Sequence, residues 1–357
     1  MRVLHMIPDI GIANGVMSVI LNYFKAMPED IKFDVCYFAE KEKTRQADIE
    51  SLGGRVFKIP APSPKGLLRR DMSTFFAQHK GEWQALHIHA PHFAVFMAPQ
   101  AKAAGIKKIC CHCHSTCFSL KGNQARNKIL SLYSRYFVKT KFACSKAAGS
   151  LWYGGSDFTV LNNAIDCSEY AFNEEKRNAV RQKMGLNDSF VAGHIGRTDI
   201  PQKNHPQLIK IFSEIKKKNS NSKLLLMGAE KTDELFELCK SLCVENSVEF
   251  LGCRTDISQL LQACDVFLFP STNEGLPVSL IEAQAAGLPV IMSDTITDEV
   301  CITDEICRLP LESAPGIWAE KALESKENAR KNNLEFMKTA GWDIYDAAEK
   351  LAAYYRG

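Results

Sequence analysis

The chain has no uncharged apolar run of the roughly 18 residues that a membrane-spanning helix needs, which excludes an integral helical membrane protein. No small-residue cleavage site follows the short apolar run in Met1-Arg2-Val3-Leu4-His5-Met6-Ile7-Pro8-Asp9, which argues against a signal peptide. Short-period repeats and low-complexity segments are lacking, so a solenoid or a disordered tract is not expected. A G-x-G-x-x-G is lacking too, which weakens a dinucleotide-oxidoreductase reading. Thirteen cysteines, an odd number without a secretory signal, favour reduced thiols in a cytoplasm over a disulfide framework. What is present is ordinary globular composition, 46% hydrophobic and 24% charged, in 357 residues, a length that suggests two domains. The net charge of +3 hides an asymmetry. Through Val160 there are 22 basic and 11 acidic residues, leaving 22 and 30 for the remainder, so the two parts carry +11 and −8. Opposite signs suggest domains with different partners, the first facing something anionic.

Apolar runs alternate with amphipathic stretches along the first half. Strands are expected at Val3–Ile7, Phe33–Phe38, Val56–Ile59, Ala85–His89, Lys107–His114, Phe142–Cys144 and Phe158–Leu161, with helices at Val16–Met27, Phe93–Ala104 and Asn127–Lys139 among them. Periodicity lapses around Asn162-Asn163-Ala164-Ile165-Asp166 and then restarts. Expected strands follow at Phe190–Ile195, Lys223–Met227, Val248–Leu251, Val266–Phe269 and Pro289–Met292. Helices between them are expected at His205–Lys218, Asp233–Cys243, Ile257–Cys264 and Pro277–Ala286. Past Trp318 the chain reads as helical and polar, with Asp343 capping a last helix, Ile344–Tyr355. The class is α/β: two doubly wound parallel sheets with a hinge near residue 165. Ligands in such sheets sit at the carboxyl ends of strands, so the loops after the strands are where chemistry belongs.

The strongest signal runs from Phe269 through Glu274-Gly275-Leu276-Pro277-Val278 to Glu282 and on to Val290. A buried strand ends at Phe269, and Pro277 suits the first helical position, where its missing N–H costs nothing. The free amides and positive dipole end of that helix make an anion site fit for a phosphate. Glu274 and Glu282 beside it suit a ligand with charges and hydroxyls together, since sugar hydroxyls donate to carboxylates. Upstream, His194-Ile195-Gly196-Arg197-Thr198-Asp199 leads to Lys203-Asn204-His205. Arg197 as a fork and Lys203 as a point charge could clamp a diphosphate.

The 269–290 run resembles the glutamate–seven-residues–glutamate motif of the retaining glycosyltransferases of family 4. That resemblance implies the GT-B fold: two Rossmann-like domains facing across a cleft, here 1–165 for the acceptor and 166–335 for the nucleotide sugar. A C-terminal helix within 336–357 would return to the first domain. It implies that Glu274 contacts donor-sugar hydroxyls, that Glu282 contacts the ribose, and that amides near Gly275, Leu276 and Val278 approach the diphosphate. Arg197 and Lys203 would neutralise the leaving nucleoside diphosphate. Asp9–Val16, with Gly11 and Gly15, is similar to the family's glycine-bearing loop near the donor phosphates, with Ala13-Asn14-Gly15 in place of a paired glycine. Cys110-Cys111-His112-Cys113-His114-Ser115 resembles its histidine-ended strand, which assigns the sugar-facing role to His114. Base recognition falls to the loop Gly252-Cys253-Arg254.

Cys110, Cys111, Cys113, Cys117, His112 and His114 invite a zinc site, but strand alternation sends Cys111 and Cys113 to one face and His112 and His114 to the other, so neither face alone gives a clean tetrahedral set. Core thiols are the favoured reading, with no metal and no cofactor beyond the donor substrate. Cys239 and Cys243 read as core residues of one helix. The basic residues Lys65, Arg69, Arg70, Lys107, Lys108, Lys121, Arg126, Lys128, Arg135, Lys139 and Lys141 interleave with few aromatics and carry no nucleic-acid signature. Docking on an anionic membrane is the better expectation for them. The expected activity is metal-independent, retaining transfer of a hexose from a nucleoside diphosphate sugar, with UDP the favoured nucleotide. The acceptor would be a glycan or polyprenyl-linked glycan of bacterial exopolysaccharide or capsule synthesis, at the cytoplasmic face of the membrane. Rival readings are a sugar-nucleotide epimerase on the same fold and a catalytically silent nucleotide- or glycan-binding partner.

Overall fold

The computed structural model describes residues 1–118, 123–325 and 330–357; Lys121 lies outside them. Two units result, Met1–Ile165 with Asp343–Gly357, and Asp166–Trp342. The chain returns to the first unit at Asp343, so residues 336–342 remain with the second.

The first unit holds seven strands: β1 (Arg2–Met6), β2 (Lys32–Tyr37), β3 (Val56–Lys58), β4 (Ala85–Ile88), β5 (Lys108–Cys113), β6 (Thr140–Ala143) and β7 (Thr159–Val160). They form one parallel sheet in the order β3-β2-β1-β4-β5-β6-β7. Helix α1 (Gly15–Ala26) starts where the Asn14 side chain accepts from Val16 N and Met17 N. Helix α2 (Gln124–Ser134) is shorter than the periodicity suggested. It buries Asn127, Ser131 and Ser134, while Ile129, Leu132, Tyr133 and, just beyond it, Tyr136 stay exposed.

The second unit begins with the short helix α3 (Cys167–Tyr170), which carries no periodic signal. Its six strands are β8 (Phe190–Ile195), β9 (Ser222–Met227), β10 (Val248–Gly252), β11 (Val266–Phe269), β12 (Val290–Ser293) and β13 (Ile306–Leu309), in the parallel order β10-β9-β8-β11-β12-β13. Strand β13 was not anticipated; it is half-exposed at the sheet edge. Helix α4 (His205–Lys218) buries Leu208, Ile209, Ile211, Phe212 and Ile215 in a core shared with Phe190, Leu224, Val266 and Trp318. Helix α5 is Val278–Ala285. Pro277 is its cap, with φ −70° and ψ 117°, rather than its first residue. The extended ψ turns the chain into the helix one residue later, and a proline has no amide to lose in either place. Helix α6 (Leu334–Thr339) closes this unit.

Helix α7 (Ile344–Arg356) belongs to the first unit, where Ile344 N donates to Ile165 O at 2.9 Å. Asp343 caps it by accepting from Tyr345 N at 3.1 Å. Each sheet therefore has one place where adjacent strands lead to helices on opposite faces, β1/β4 in the first and β8/β11 in the second. That is where a doubly wound sheet opens a crevice for ligands.

Candidate functional site

In the second unit the loop after β8 leads into a single 3-10 turn, Pro201–Lys203, and Asn204 then adopts a left-handed conformation (φ 54°) before α4. The loop after β11 runs from Pro270 to Pro277. Two bonds tie these loops: Thr272 N donates to Gln202 O at 2.9 Å, and Asn204 Nδ2 donates to Pro270 O at 3.1 Å. Lys203 Nζ consequently sits 2.8 Å from Glu274 Oε1 and 4.8 Å from the centre of the Phe269 ring. Gly196 is required here. A methyl group on it would lie 2.9 Å from Lys203 Cγ and Cδ and 2.6 Å from His194 Nε2. His194 Nδ1 donates to Leu268 O at 2.8 Å, and His205 Nε2 donates to Gly196 O at 3.2 Å. Burial pushes His194 well below the usual imidazole range and His205 down to about 4, so both rings are neutral struts.

Glu282 lies one turn into α5, and its Oε1 accepts from the Tyr170 hydroxyl at 2.9 Å. Burial pushes this carboxyl up to about 7, while the Tyr170 bond and the charge of Lys203 pull the other way. Lys203 thus acts on both glutamates, through contact with Glu274 and through its field on Glu282. Pro277 makes no side-chain cap bond at the start of α5, and the amide end of that helix, beside Gly275, Leu276 and Val278, carries the positive end of its dipole. Gln284, fully buried, holds the other end of the helix. It donates to Leu280 O and Val300 O and accepts from Ile302 N and Thr303 N.

The two expected arginines of this unit each pair with an aspartate two residues on. Arg197 forks onto Asp199, two residues on, with Nε at 3.0 Å from Oδ1 and Nη2 at 3.3 Å from Oδ2. Arg254 likewise forks onto Asp256 at 2.8 and 2.6 Å. Gly252 needs its glycine for a left-handed φ of 61°, at the end of edge strand β10, which β9 separates from β8. Cys253 is half-buried next to it. Tyr170, Gly196 as a spacer and Phe269 as a platform carried no sequence signal of their own.

Residues 176–317 match the family model of glycosyl transferases, group 1, a span that contains Arg197, Lys203, Glu274 and Glu282. Over 99% of its length the chain is 29% identical to EpsF of Bacillus subtilis (strain 168), covering 94% of that protein. The chain is a glycosyltransferase. This glycosyltransferase is also 24% identical, over 82% of the chain and 79% of the relative, to the Escherichia coli UDP-Gal:alpha-D-GlcNAc-diphosphoundecaprenol alpha-1,3-galactosyltransferase. It shares its GT-B fold with Anabaena HepE, solved in complex with UDP, at a TM-score of 0.82 and 20% identity over 99% of each chain.

The first unit contributes the other two candidate positions of the glycosyltransferase. Gly15 opens α1, and a methyl group there would meet nothing within 4 Å, so packing does not demand a glycine. His114 follows β5, and both its ring nitrogens are engaged. Nε2 is 2.8 Å from His89 Nδ1, and Nδ1 is 3.3 Å from Asn163 Oδ1. Cys110, Cys111 and Cys113 are buried free thiols whose ionisation burial suppresses. The sheet nevertheless assembles what β5 alone does not. His5, His87 and His89 form one trio of imidazoles, and His89, His112 and His114 another, with candidate ligand atoms within 4.8 Å of each other.

Proposed function

We propose that this glycosyltransferase moves a hexose from a UDP-sugar, with retention of anomeric configuration, to a polyprenyl-diphosphate-linked glycan in bacterial exopolysaccharide or capsule synthesis. The observation that carries this reading is the Lys203–Glu274 pair at the β8/β11 crevice, beside the N-terminal end of α5. A cation, a row of amides and two carboxylates within one crevice suit a ligand that is both a diphosphate and a sugar. The printed activity of the Escherichia coli relative supports the UDP-linked donor and the lipid-linked acceptor. UDP in the Anabaena structure supports the nucleotide.

In this reading Glu274 holds Lys203 in place until the donor takes over the ammonium. Lys203, the α5 amides at Gly275, Leu276 and Val278, and Arg197 released from Asp199 stabilise the departing diphosphate without a metal ion. Glu274 then accepts from sugar hydroxyls and Glu282 from the ribose. By the same resemblance the Gly15 amide serves the donor phosphates, His114 faces the sugar, and Gly252, Cys253 and Arg254 line the base. The bond from the anomeric carbon to the phosphate oxygen breaks as the acceptor oxygen attacks from the same face. The acceptor proton passes to a phosphate oxygen.

The outward face of α2 supports membrane contact. Exposed Ile129, Leu132, Tyr133 and Tyr136 alternate with exposed Arg126, Lys128, Arg135 and Lys139, a mixture suited to an anionic lipid surface. No helix of the described residues is long and apolar enough to cross a membrane. Flotation with anionic and neutral vesicles tests the contact, and equal recovery with both would remove it.

Turnover of a panel of UDP-, GDP- and ADP-sugars with a lipid-linked acceptor, with and without EDTA, tests the activity. We expect UDP-sugar turnover that survives EDTA and falls about 100-fold in Lys203→Ala, the scale of one lost electrostatic donor. Near wild-type turnover in that variant would refute the role of Lys203. Nucleotide binding without turnover would instead indicate a silent partner, and donor isomerisation without acceptor an epimerase.

A further inference from the structure

At the β1/β4 crevice of the first unit, five imidazoles share one face of the sheet. The register pairs His5 with His87, and strand alternation adds His89, His112 and His114. Three of them form a hydrogen-bonded chain with Asn163: His5 Nδ1 to His89 Nε2 at 2.9 Å, His89 Nδ1 to His114 Nε2 at 2.8 Å, and His114 Nδ1 to Asn163 Oδ1 at 3.3 Å. These distances fit a shared proton. Two nitrogens on one tetrahedral zinc, at bonds of about 2.0–2.1 Å, stand roughly 3.3 Å apart. Pairs at 2.8 and 2.9 Å are spaced as hydrogen bonds.

The chain also has a direction. Asn163 Oδ1 can only accept, so His114 Nδ1 carries the proton and His114 Nε2 accepts from His89 Nδ1–H. His89 Nε2 then accepts from His5 Nδ1–H, and a bare lone pair is left at the buried, unpartnered His5 Nε2. The reverse order would bury an unpaired N–H there, the rarer and costlier defect. Among the described residues no carboxylate bonds to any of the five rings. Their other partners are the Tyr355 hydroxyl on His87 at 2.6 Å and the Leu161 backbone on His112. Burial keeps all five rings neutral.

We infer that His5 and His89 are positioning residues that lock His114 as the neutral Nδ1–H tautomer, so that it meets the donor sugar as a hydrogen-bond donor and not as a base. The contact to Asn163 is the longest of the chain, and a sugar hydroxyl oxygen can replace it while His89 keeps hold of Nε2. The inference rests on the sugar-facing reading of His114.

The test is long-range 1H–15N NMR of the histidine rings together with donor kinetics, in wild type, His89→Phe and His89→Asn. Wild type should show His114 protonated at Nδ1 and bare at Nε2. In His89→Phe the His114 signals should shift towards a mixture of tautomers, and donor KM should rise about tenfold with less change in kcat, the effect of one displaced hydrogen bond. Asparagine places an N–H near the position of Nδ1–H, so His89→Asn should restore KM to within about threefold of wild type. Unchanged His114 nitrogen shifts in His89→Phe would overturn the inference. Shifts that move while KM stays put would uphold the lock and remove His114 from the sugar site. If His89→Phe does not fold, His5→Phe breaks the next link, and unchanged His114 shifts in it would equally overturn the inference. Stoichiometric Co2+ binding with a visible ligand-field spectrum would also overturn it, by showing the rings to be a metal site.

Discussion

The buried imidazoles make the first unit acid-sensitive, by an amount that can be worked out. His5, His87, His89 and His112 are 2%, 1%, 8% and 1% exposed, and burial lowers the pKa of each, that of His5 to about 3. A ring whose folded pKa lies below its unfolded value near 6.5 gives stability that is present above that value and lost as pH falls through it. At pH 5.0 the unfolded chain gains about 2 kcal/mol per such ring from protonation that the folded chain refuses, so these four rings cost about 8 kcal/mol, and His92 and His114, lowered by burial to about 4, add about 4 kcal/mol more. That is comparable to the whole stability of a typical domain, about 5–15 kcal/mol. The second unit behaves differently. His194 and His205 cost it about 4 kcal/mol over the same range, but Glu282, held near 7, returns about 2 kcal/mol as it becomes protonated. Calorimetry at pH 7.5 and 5.0 should therefore show the first unit's transition falling by roughly 25–50 °C, at about 2–4 °C per kcal/mol, and the second's by much less. A fall below about 5 °C, or parallel falls in both units, would refute the claim that these rings are locked neutral.

Tyr170→Phe removes the hydrogen bond that holds the pKa of Glu282 down, so the carboxyl should titrate higher still. If ionised Glu282 accepts from the ribose, donor affinity measured calorimetrically between pH 6 and 8.5 should weaken at a higher pH than in wild type, and an unmoved profile would separate Tyr170 from the site. Gln284→Leu leaves the amides of Ile302 and Thr303 without their acceptor in a buried position. We expect a loss of about 2–4 kcal/mol in urea unfolding, and a loss below about 0.5 kcal/mol would mean that water replaces the side chain.

Both sheets were legible because their central strands, such as Val266–Phe269, are buried on both faces and read as unbroken apolar runs. Helix α4 was legible from its apolar stripe. The four-residue α3 was not, since so short an element has no period, and with it Tyr170 escaped notice. The edge strand β13 escaped because it is half-exposed and has no continuous apolar run. Pro277 was placed one residue too far inside its helix because a proline is compatible with both positions.

Which chemistry the chain owns was written in its residues: the 274–282 acids, Lys203 and the histidines at 112 and 114. Which of them meet was decided only by the packed sheets. Lys203 finds Glu274 because β8 and β11 are neighbours and their loops exchange hydrogen bonds, whereas Arg197, close to Lys203 in the chain, turns to Asp199. One strand's alternation is local, and it correctly split Cys113 from His114; it says nothing about the strands alongside. Strand order and register, which depend on how the whole core packs, brought His5, His87 and His89 onto the face of His114.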